Sequence, residues 1–281
     1  MPDTRWGESR ELAHRRNLDR NTKPRITLGR LLFVCITFLC LSGTAVSQDW
    51  PLGTFYYEIT RNNNQIGIQK IISTRQGEDV VVETEEWLDD TGYCRASNRR
   101  EVWRNGTLVA FESFTAGWCS IFVRMVRPSV CPWDEFGDPI TVSVFRKDKG
   151  LFKKFGSEES QQISGEAVPT NFLNPAFRGS DHIVQAMSPI TGELESMTIS
   201  NKGVETVSVG NKSETAERYV VQDQDGQDRE LWYDSRGVWI KMFLHGDAVT
   251  FAAASPAKME SELPSFVRRS DCLSKLPNHT N

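Results

Sequence analysis

The sequence predicts a mostly β protein: a curled antiparallel meander, a barrel or half-barrel, with one short helix packed on or in it. Three observations predict this. Turn signals recur every eight to twelve residues or so between residues 53 and 254. The runs between them are rich in Val, Ile, Tyr, Trp and Phe, which suit a pleated, half-buried surface. Together they make roughly ten to twelve strands, more than a flat open sheet carries comfortably, so the sheet must curl.

The clearest stretch is Ala216 to Ala254. It reads as four short strands joined by turns at Asp225-Gly226, Arg236-Gly237 and Gly246-Asp247, where a positive φ costs little. Alternation from Val238 to Phe243 puts Val238, Ile240 and Met242 on one face and Trp239, Lys241 and Phe243 on the other.

Taken in order, Gly53 to Thr60 is a first strand with Phe55, Tyr57 and Ile59 in phase. Asn62-Asn63-Asn64 turns the chain into Gln65 to Arg75, where Ile66, Ile68 and Ile72 are read as in phase. Val80 to Leu88 and Tyr93 to Arg104 follow. Asn105-Gly106 is the strongest short hairpin signal and leads into Thr107 to Thr115. Residues 116–150 are less regular, and 150–164 reads as a solvated hairpin of mixed charge. The alternation breaks at Pro169 to Ser188: Asn174-Pro175 is a helix-start signal, and Ile183, Val184 and Met187 share one face of a short helix. Strands resume at Glu193 to Ser200 and Gly203 to Val209. From Ser255 the chain is a polar, Pro-containing tail, read as loosely ordered apart from Cys272. Residues 1–47, 48–254 and 255–281 thus form a leader, a single β domain and a tail.

The leader has the order of a secretory signal. A basic region ending at Arg30 precedes the apolar run Leu31 to Leu41 and the small residues Ser42 to Ser47. The expected cut lies between Ser47 and Gln48. The sixteen residues from Leu31 to Val46 fall short of the roughly 20 that span a bilayer. An uncleaved inner-membrane anchor is the alternative, and this segment is then the protein's only membrane contact. Residues 1–47 hold eight Lys/Arg against four Asp/Glu, leaving 25 basic and 33 acidic residues in the rest. An acidic body offers no electrostatic reason to bind nucleic acid.

Removal of the leader leaves four cysteines, Cys94, Cys119, Cys131 and Cys272. Four allow three pairings, and none shows the C-x-x-C spacing of a zinc site. Cys119 and Cys131 bracket an excursion whose closure makes a local loop, which leaves Cys94 for Cys272.

Several segments are familiar in series: G-T-F-Y-Y-E-I from Gly53, Ile66-Gly67, E-V-W-R-N-G-T-L from Glu101, Asn174-Pro175, T-G-E-L from Thr191, A-E-R-Y from Ala216 and L-W-Y-D from Leu231. Together they resemble an exported bacterial family known as domain of unknown function 6134, over roughly Gly53 to Ala254. The resemblance implies a signal-bearing, β-rich envelope protein and no particular chemistry. The chain departs from the family pattern at Phe172-Leu173, where an aromatic-Trp pair is expected, and in its cysteines.

No catalytic, cofactor-binding or metal-binding residue is identified. The histidines after the leader are His182, His245 and His279. His182 follows Asp181, but no nucleophile elbow, P-loop or H-E-x-x-H accompanies it. Glu83 and Glu85 share a solvated face with Trp87. Asp223, Asp225 and Asp228 only loosely resemble a calcium loop. The aromatics are the better clue: Trp87, Trp103, Trp232 and Trp239 are candidates to line an apolar cavity. The expectation is therefore a non-enzymatic periplasmic scaffold binding a lipid or other apolar or amphipathic molecule. The alternative is an envelope structural or interaction protein without a ligand. Exported material is expected to begin at or near Gln48; N-terminal sequencing that reads from Met1 would contradict cleavage.

Overall fold

The computed structural model describes residues 49–120, 139–148, 150–246, 248–270, 272, 273 and 276. The expected cleavage site at Ser47 and Gln48, and Cys131, lie outside these residues. Hairpin by hairpin the chain builds β1 (Gly53–Arg61), β2 (Asn64–Gln76), β3 (Asp79–Asp90), β4 (Tyr93–Arg104), β5 (Thr107–Cys119), β6 (Ile140–Lys147), β7 (Gly150–Phe155) and β8 (Gln161–Ile163). It continues through β9 (Val168–Pro169), β10 (His182–Met187), β11 (Leu194–Val209), β12 (Lys212–Gln222), β13 (Asp228–Tyr233), β14 (Trp239–Leu244) and β15 (Val249–Ala254). The turn chemistry is the expected one: Asn62 and Asn63 have φ of 51° and 64°, and Asn105 and Gly106 have 49° and 74°. In the last hairpin Ala248, at φ 52°, takes the left-handed conformation.

All fifteen strands lie in one sheet, ordered β8 to β1, then β15 down to β9. The first strand pairs with the last, Tyr57 opposite Ala253. The two edges, β8 and β9, are consecutive in the chain. Residues 164–167 join them, so Ile163 and Val168 lie no more than roughly 18 Å apart. The sheet therefore curls almost onto itself and stays unclosed, since no ladder joins β8 to β9 among the described residues. Side chains bridge the gap: Lys153 Nζ donates to Gly192 O at 3.0 Å, and Ser113 Oγ donates to Pro189 O.

Alternate residues gather inside. Tyr57, Ile59, Val82, Phe111, Tyr219 and Leu231 belong to one continuous core. The segment after β9 folds into this interior: Leu173 and Phe177 are fully buried, and Tyr233 Oη donates to Phe172 O at 2.9 Å. Asn174 caps a single 3-10 turn, Pro175–Phe177, accepting from Ala176 N.

The expected helix at Ile183, Val184 and Met187 is not formed. These residues are in β10, paired to β11 with Val184 opposite Met197, and Ile183 is 68 % exposed while Val184 is buried. A helix this short has little stability of its own, whereas pairing with β11 along the whole segment, and with β9 at Ala186 and Met187, supplies ladder hydrogen bonds. Among the described residues the α-helix lies instead in the tail, as α1 (Pro256–Arg269). Ser255 caps it, Pro256 occupies its first turn, and Met259 and Phe266 are its buried residues. It packs on the outer face over Tyr56, Ile68, Cys94, Ala96 and Ala116. Cys272 beyond it is bonded to Cys94, with Cα atoms 6.2 Å apart. The expected pairing of Cys94 with Cys272 is formed and fastens the tail, while Pro256–Arg269 is helical where loose order was expected.

Two bulges change the expected phases. Ile66 is the extra residue between Gly67, opposite Ile59, and Gln65, opposite Thr60. Ile66 therefore points into the core while Ile68 faces α1. Ile240 is the extra residue between Trp239, opposite Tyr233, and Lys241, opposite Trp232. Trp239 and Met242 consequently lie inside, and Ile240 packs outside against Trp232, under Val207 and Val209 of the β11–β12 ribbon.

Gly67 explains one family segment. A Cβ there would stand 2.5 Å from Trp87 O and 2.7 Å from Leu88 Cδ2. Gly67→Ala is expected to destabilise the fold by about 1–3 kcal/mol through forced backbone movement. An unchanged urea midpoint would refute the close approach.

Candidate functional site

The inner face of β2 to β5 carries most of the buried polar residues of an otherwise largely apolar interior. Register explains how the residues meet. Gln69 lies opposite Glu86, Glu86 opposite Ser97, and Ser97 opposite Thr115. The neighbouring row is Ile71, Thr84, Arg99 and Ser113. Along β4 the period of two points Arg95, Ser97, Arg99 and Glu101 inward and Cys94 and Ala96 outward. The outward residues are apolar because α1 covers them.

Glu86 is the hub. It accepts from Gln69 Nε2 at 2.8 Å, from Arg95 Nη2, and from Arg99 Nη2 at 3.5 Å. Burial would raise its carboxyl, but the two guanidiniums and the hydrogen bonds hold it below its ordinary value. Burial pulls Arg99 down, only partly offset by Glu86. Behind this hub Glu101, 1 % exposed, accepts from Trp103 Nε1 at 2.8 Å and Asn171 Nδ2 at 2.9 Å. Burial pushes its carboxyl up to about 7 against the pull of those hydrogen bonds and of Arg99. Glu101 thereby ties the inward-folded segment to the wall of the sheet.

In front of the hub is a cavity of about 260 Å³. One wall is Gln69, Glu86, Arg95, Ser97, Arg99 and Thr115; the other is Ile71, Phe172, Trp239, Met242 and Phe251. Half-buried Glu195, Arg229 and Leu244 also line it. Trp239 stacks on Tyr57 with centroids 3.6 Å apart and 7° between planes, and Phe251 meets it edge-on at 6.2 Å. Gln69 Oε1, Thr115 Oγ1, Arg95 Nε and Arg99 Nε are buried with no hydrogen-bond partner among the described residues. Each such atom costs about 1–3 kcal/mol.

The candidate residues distribute as follows. Trp239 lines the cavity. Trp103 is inside but behind it, 5.3 Å from Trp50 and donating to Glu101. Trp87 is on the outer face against the α1 cluster. Trp232 is also outside, donating to Glu205 Oε1 at 2.7 Å, with Lys241 Nζ 5.4 Å over its ring. Cys119 is buried in β5, and the partner expected for it, Cys131, lies outside the described residues. The His182 ring nitrogens meet Ser180 O at 2.6 Å and Ala176 O at 2.7 Å, so this residue pins the loop before β10. His245 Nε2 meets Glu230 Oε1 at 2.6 Å. Asp223 holds its turn by accepting from Gln227 N at 2.9 Å. Glu83 and Glu85 face outward, near Arg100 and Lys70 at 3.7 and 3.5 Å.

Sequence reasoning missed Gln69, Glu86, Arg95, Arg99, Glu101 and Thr115. A signal was present: counting back by twos from Trp103 puts Glu101, Arg99, Ser97 and Arg95 on its face.

A curled antiparallel sheet around a small polar-floored cavity defines a β-barrel-like protein. The chain belongs to the family described as Domain of unknown function (DUF6134), whose pattern matches residues 57–253. Among solved structures it is similar to a beta-barrel-like protein of domain of unknown function DUF1849 from Brucella abortus. The identity is 9 %, the TM-score 0.47, and 72 % of this chain and 95 % of that one are covered. It is also similar to a DUF1089 family protein from Pseudomonas aeruginosa, at 11 % identity and TM-score 0.38, over 63 % of this chain and 89 % of that one. No curated protein matches. Among the described residues no helix is long and apolar enough to cross a membrane.

Glu101 makes stability depend on pH with a defined sign. Its folded carboxyl titrates near 7 and its unfolded one near 4.5, so the folded state holds a proton that the unfolded chain has lost. Its contribution is therefore full below about pH 4.5 and declines as pH rises to about 7, by about 3 kcal/mol in all. Glu101→Gln should flatten this decline when urea midpoints are compared at pH 5 and pH 8. A slope identical to that of the unaltered protein would show that Glu101 titrates normally.

Proposed function

We propose that this chain is an exported, periplasmic protein of the bacterial envelope, and a non-enzymatic β-scaffold that holds an apolar or amphipathic small molecule. The observation that carries the reading is the two-faced cavity, with a guanidinium and amide wall facing a Trp, Phe and Met wall. Its volume, about 260 Å³, is just below the roughly 300–1,000 Å³ usual for ligand pockets, so the molecule it holds is small. Binding is favoured over catalysis because His182 is tied to main-chain carbonyls and His245 to Glu230. Export is supported by the leader's basic, apolar and small-residue order. The Cys94–Cys272 bond suits an oxidising compartment.

Native mass spectrometry of protein purified from its own host is expected to show a co-purifying small molecule. An environment-sensitive apolar dye should enter the emptied cavity and gain fluorescence. Met242→Trp, which fills the cavity from its apolar wall, should abolish dye uptake at a cost of about 1–3 kcal/mol in stability. A bare mass together with no dye uptake by the unaltered protein would sink the proposal.

A further inference from the structure

We propose that the cavity is built for an amphiphile with an anionic head, a carboxylate or phosphate, seated on Arg95 and Arg99 with its apolar tail against Phe172, Trp239 and Phe251. This rests on the cavity being a ligand site, and it adds the chemistry of the ligand.

The argument begins with charge. Arg95 and Arg99 share one carboxylate, that of Glu86, whose side chain is 5 % exposed. Two largely buried guanidiniums on one carboxylate leave a positive charge without a counterion. Burying charge is costly unless it is paired and its hydrogen bonds are met. The nearest further carboxylate behind Arg99 is Glu101, already engaged by Trp103 and Asn171, and burial favours its neutral form. Glu101 therefore serves Arg99 poorly as a counterion. At the rim Arg229 has its own partner, Asp223 at 3.4 Å, and the half-buried Glu195 that also lines the cavity has Arg229, not Arg95 or Arg99, as its neighbouring cation.

Of the four orphaned atoms on this wall three can donate, and one, Gln69 Oε1, is an acceptor. The Nε groups of both arginines are orphaned among the described residues, although both side chains line the cavity and remain 15 % and 11 % exposed. Thr115, 1 % exposed, adds an unpartnered hydroxyl able to donate to an oxyanion. What this wall lacks, beside Glu86, is a second acceptor carrying negative charge. Guanidinium edges suit planar carboxylates and phosphates alike.

The opposite wall excludes a bare ion as the whole ligand. Phe172, Trp239 and Phe251 offer only ring surface and edges to an occupant, apart from the indole N–H, so they need an apolar tail. The two walls therefore ask for one molecule with two ends.

Isothermal titration of the purified full chain, freed of co-purified lipid, tests the head group. Decanoate, decyl phosphate, decan-1-ol and inorganic phosphate are the probes. At least one acid should bind roughly tenfold or more tighter than decan-1-ol, as expected for charge-assisted hydrogen bonds. The tighter of the two acids identifies the head as carboxylate or phosphate. Arg99→Gln should bring the acids down to the affinity of the alcohol without weakening the alcohol itself. Decan-1-ol binding as tightly as either acid overturns the anionic head while leaving the ligand-binding reading intact. Inorganic phosphate binding as tightly as decyl phosphate overturns the tail. No binding by any of the four overturns both proposals. The comparison of probes on the unaltered protein stands even where Arg99→Gln does not fold.

Discussion

One topological constraint governs this molecule: the two edges of a fifteen-stranded sheet are consecutive in the chain. β8 and β9 are separated by four residues, so the sheet has to bend until its ends are neighbours. A sheet that bends so far encloses an inside that its own side chains must fill. The edges that remain are three and two residues long, among the shortest strands of the fold. Short edges leave few unpaired amides to recruit another chain. Among the described residues the gap between them is crossed by side chains from β5 and β7 reaching the β10–β11 connection, not by a ladder.

Filling the inside is where the chain departs from the simplest solution. Apolar residues would have sufficed, and over most of the strands they are used. On β2 to β5 the chain instead buries Gln69, Glu86, Arg95, Arg99, Glu101 and Thr115. Such groups lower stability unless they are fully paired, and here they are paired only in part. The rest of the fold tolerates this because both faces of the sheet contribute apolar burial. Outside β1 to β5 it comes from α1, anchored through Cys272, and outside β13 to β15 from the β11–β12 ribbon. With two apolar layers outside, a polar patch inside is affordable.

The fold was legible where hydrogen-bond geometry is local. Asn62-Asn63, Asn105-Gly106, Asp225-Gly226 and Arg236-Gly237 each place a residue at positive φ, and each joins two strands. The curl followed from strand number alone. What was not legible depends on contacts between distant segments. Ile183, Val184 and Met187 fit helical spacing better than a period of two, and pairing with the distant strand β11 overrides that local preference. The tail reads as polar because α1 shows just Met259 and Phe266 as its buried residues. The site was the hardest to see. A charged side chain in a strand is ordinarily taken as solvent-facing, and that prior hid Arg95, Arg99, Glu86 and Glu101. Alternation with Trp103 contradicted the prior, but choosing between them requires knowing that α1 covers the other face.

Bulges explain why tryptophan count alone is a poor guide to a cavity. In a regular strand Tyr233 would face Ile240, and Trp239 would lie on the outer side with Trp232. The extra residue at Ile240 puts Trp239 opposite Tyr233 instead. The ring then reaches Tyr57 on the far strand β1 and stacks on it, which in turn presents its remaining surface to the cavity. One inserted residue thus moves an indole from the outside of the sheet to the wall facing Arg95 and Arg99. The apolar half of the cavity depends on that bulge as much as the polar half depends on the strict alternation of β4. A bulge costs ladder hydrogen bonds and is retained where it re-aims a side chain. Here the re-aimed side chain is the one that gives the cavity its second, apolar face.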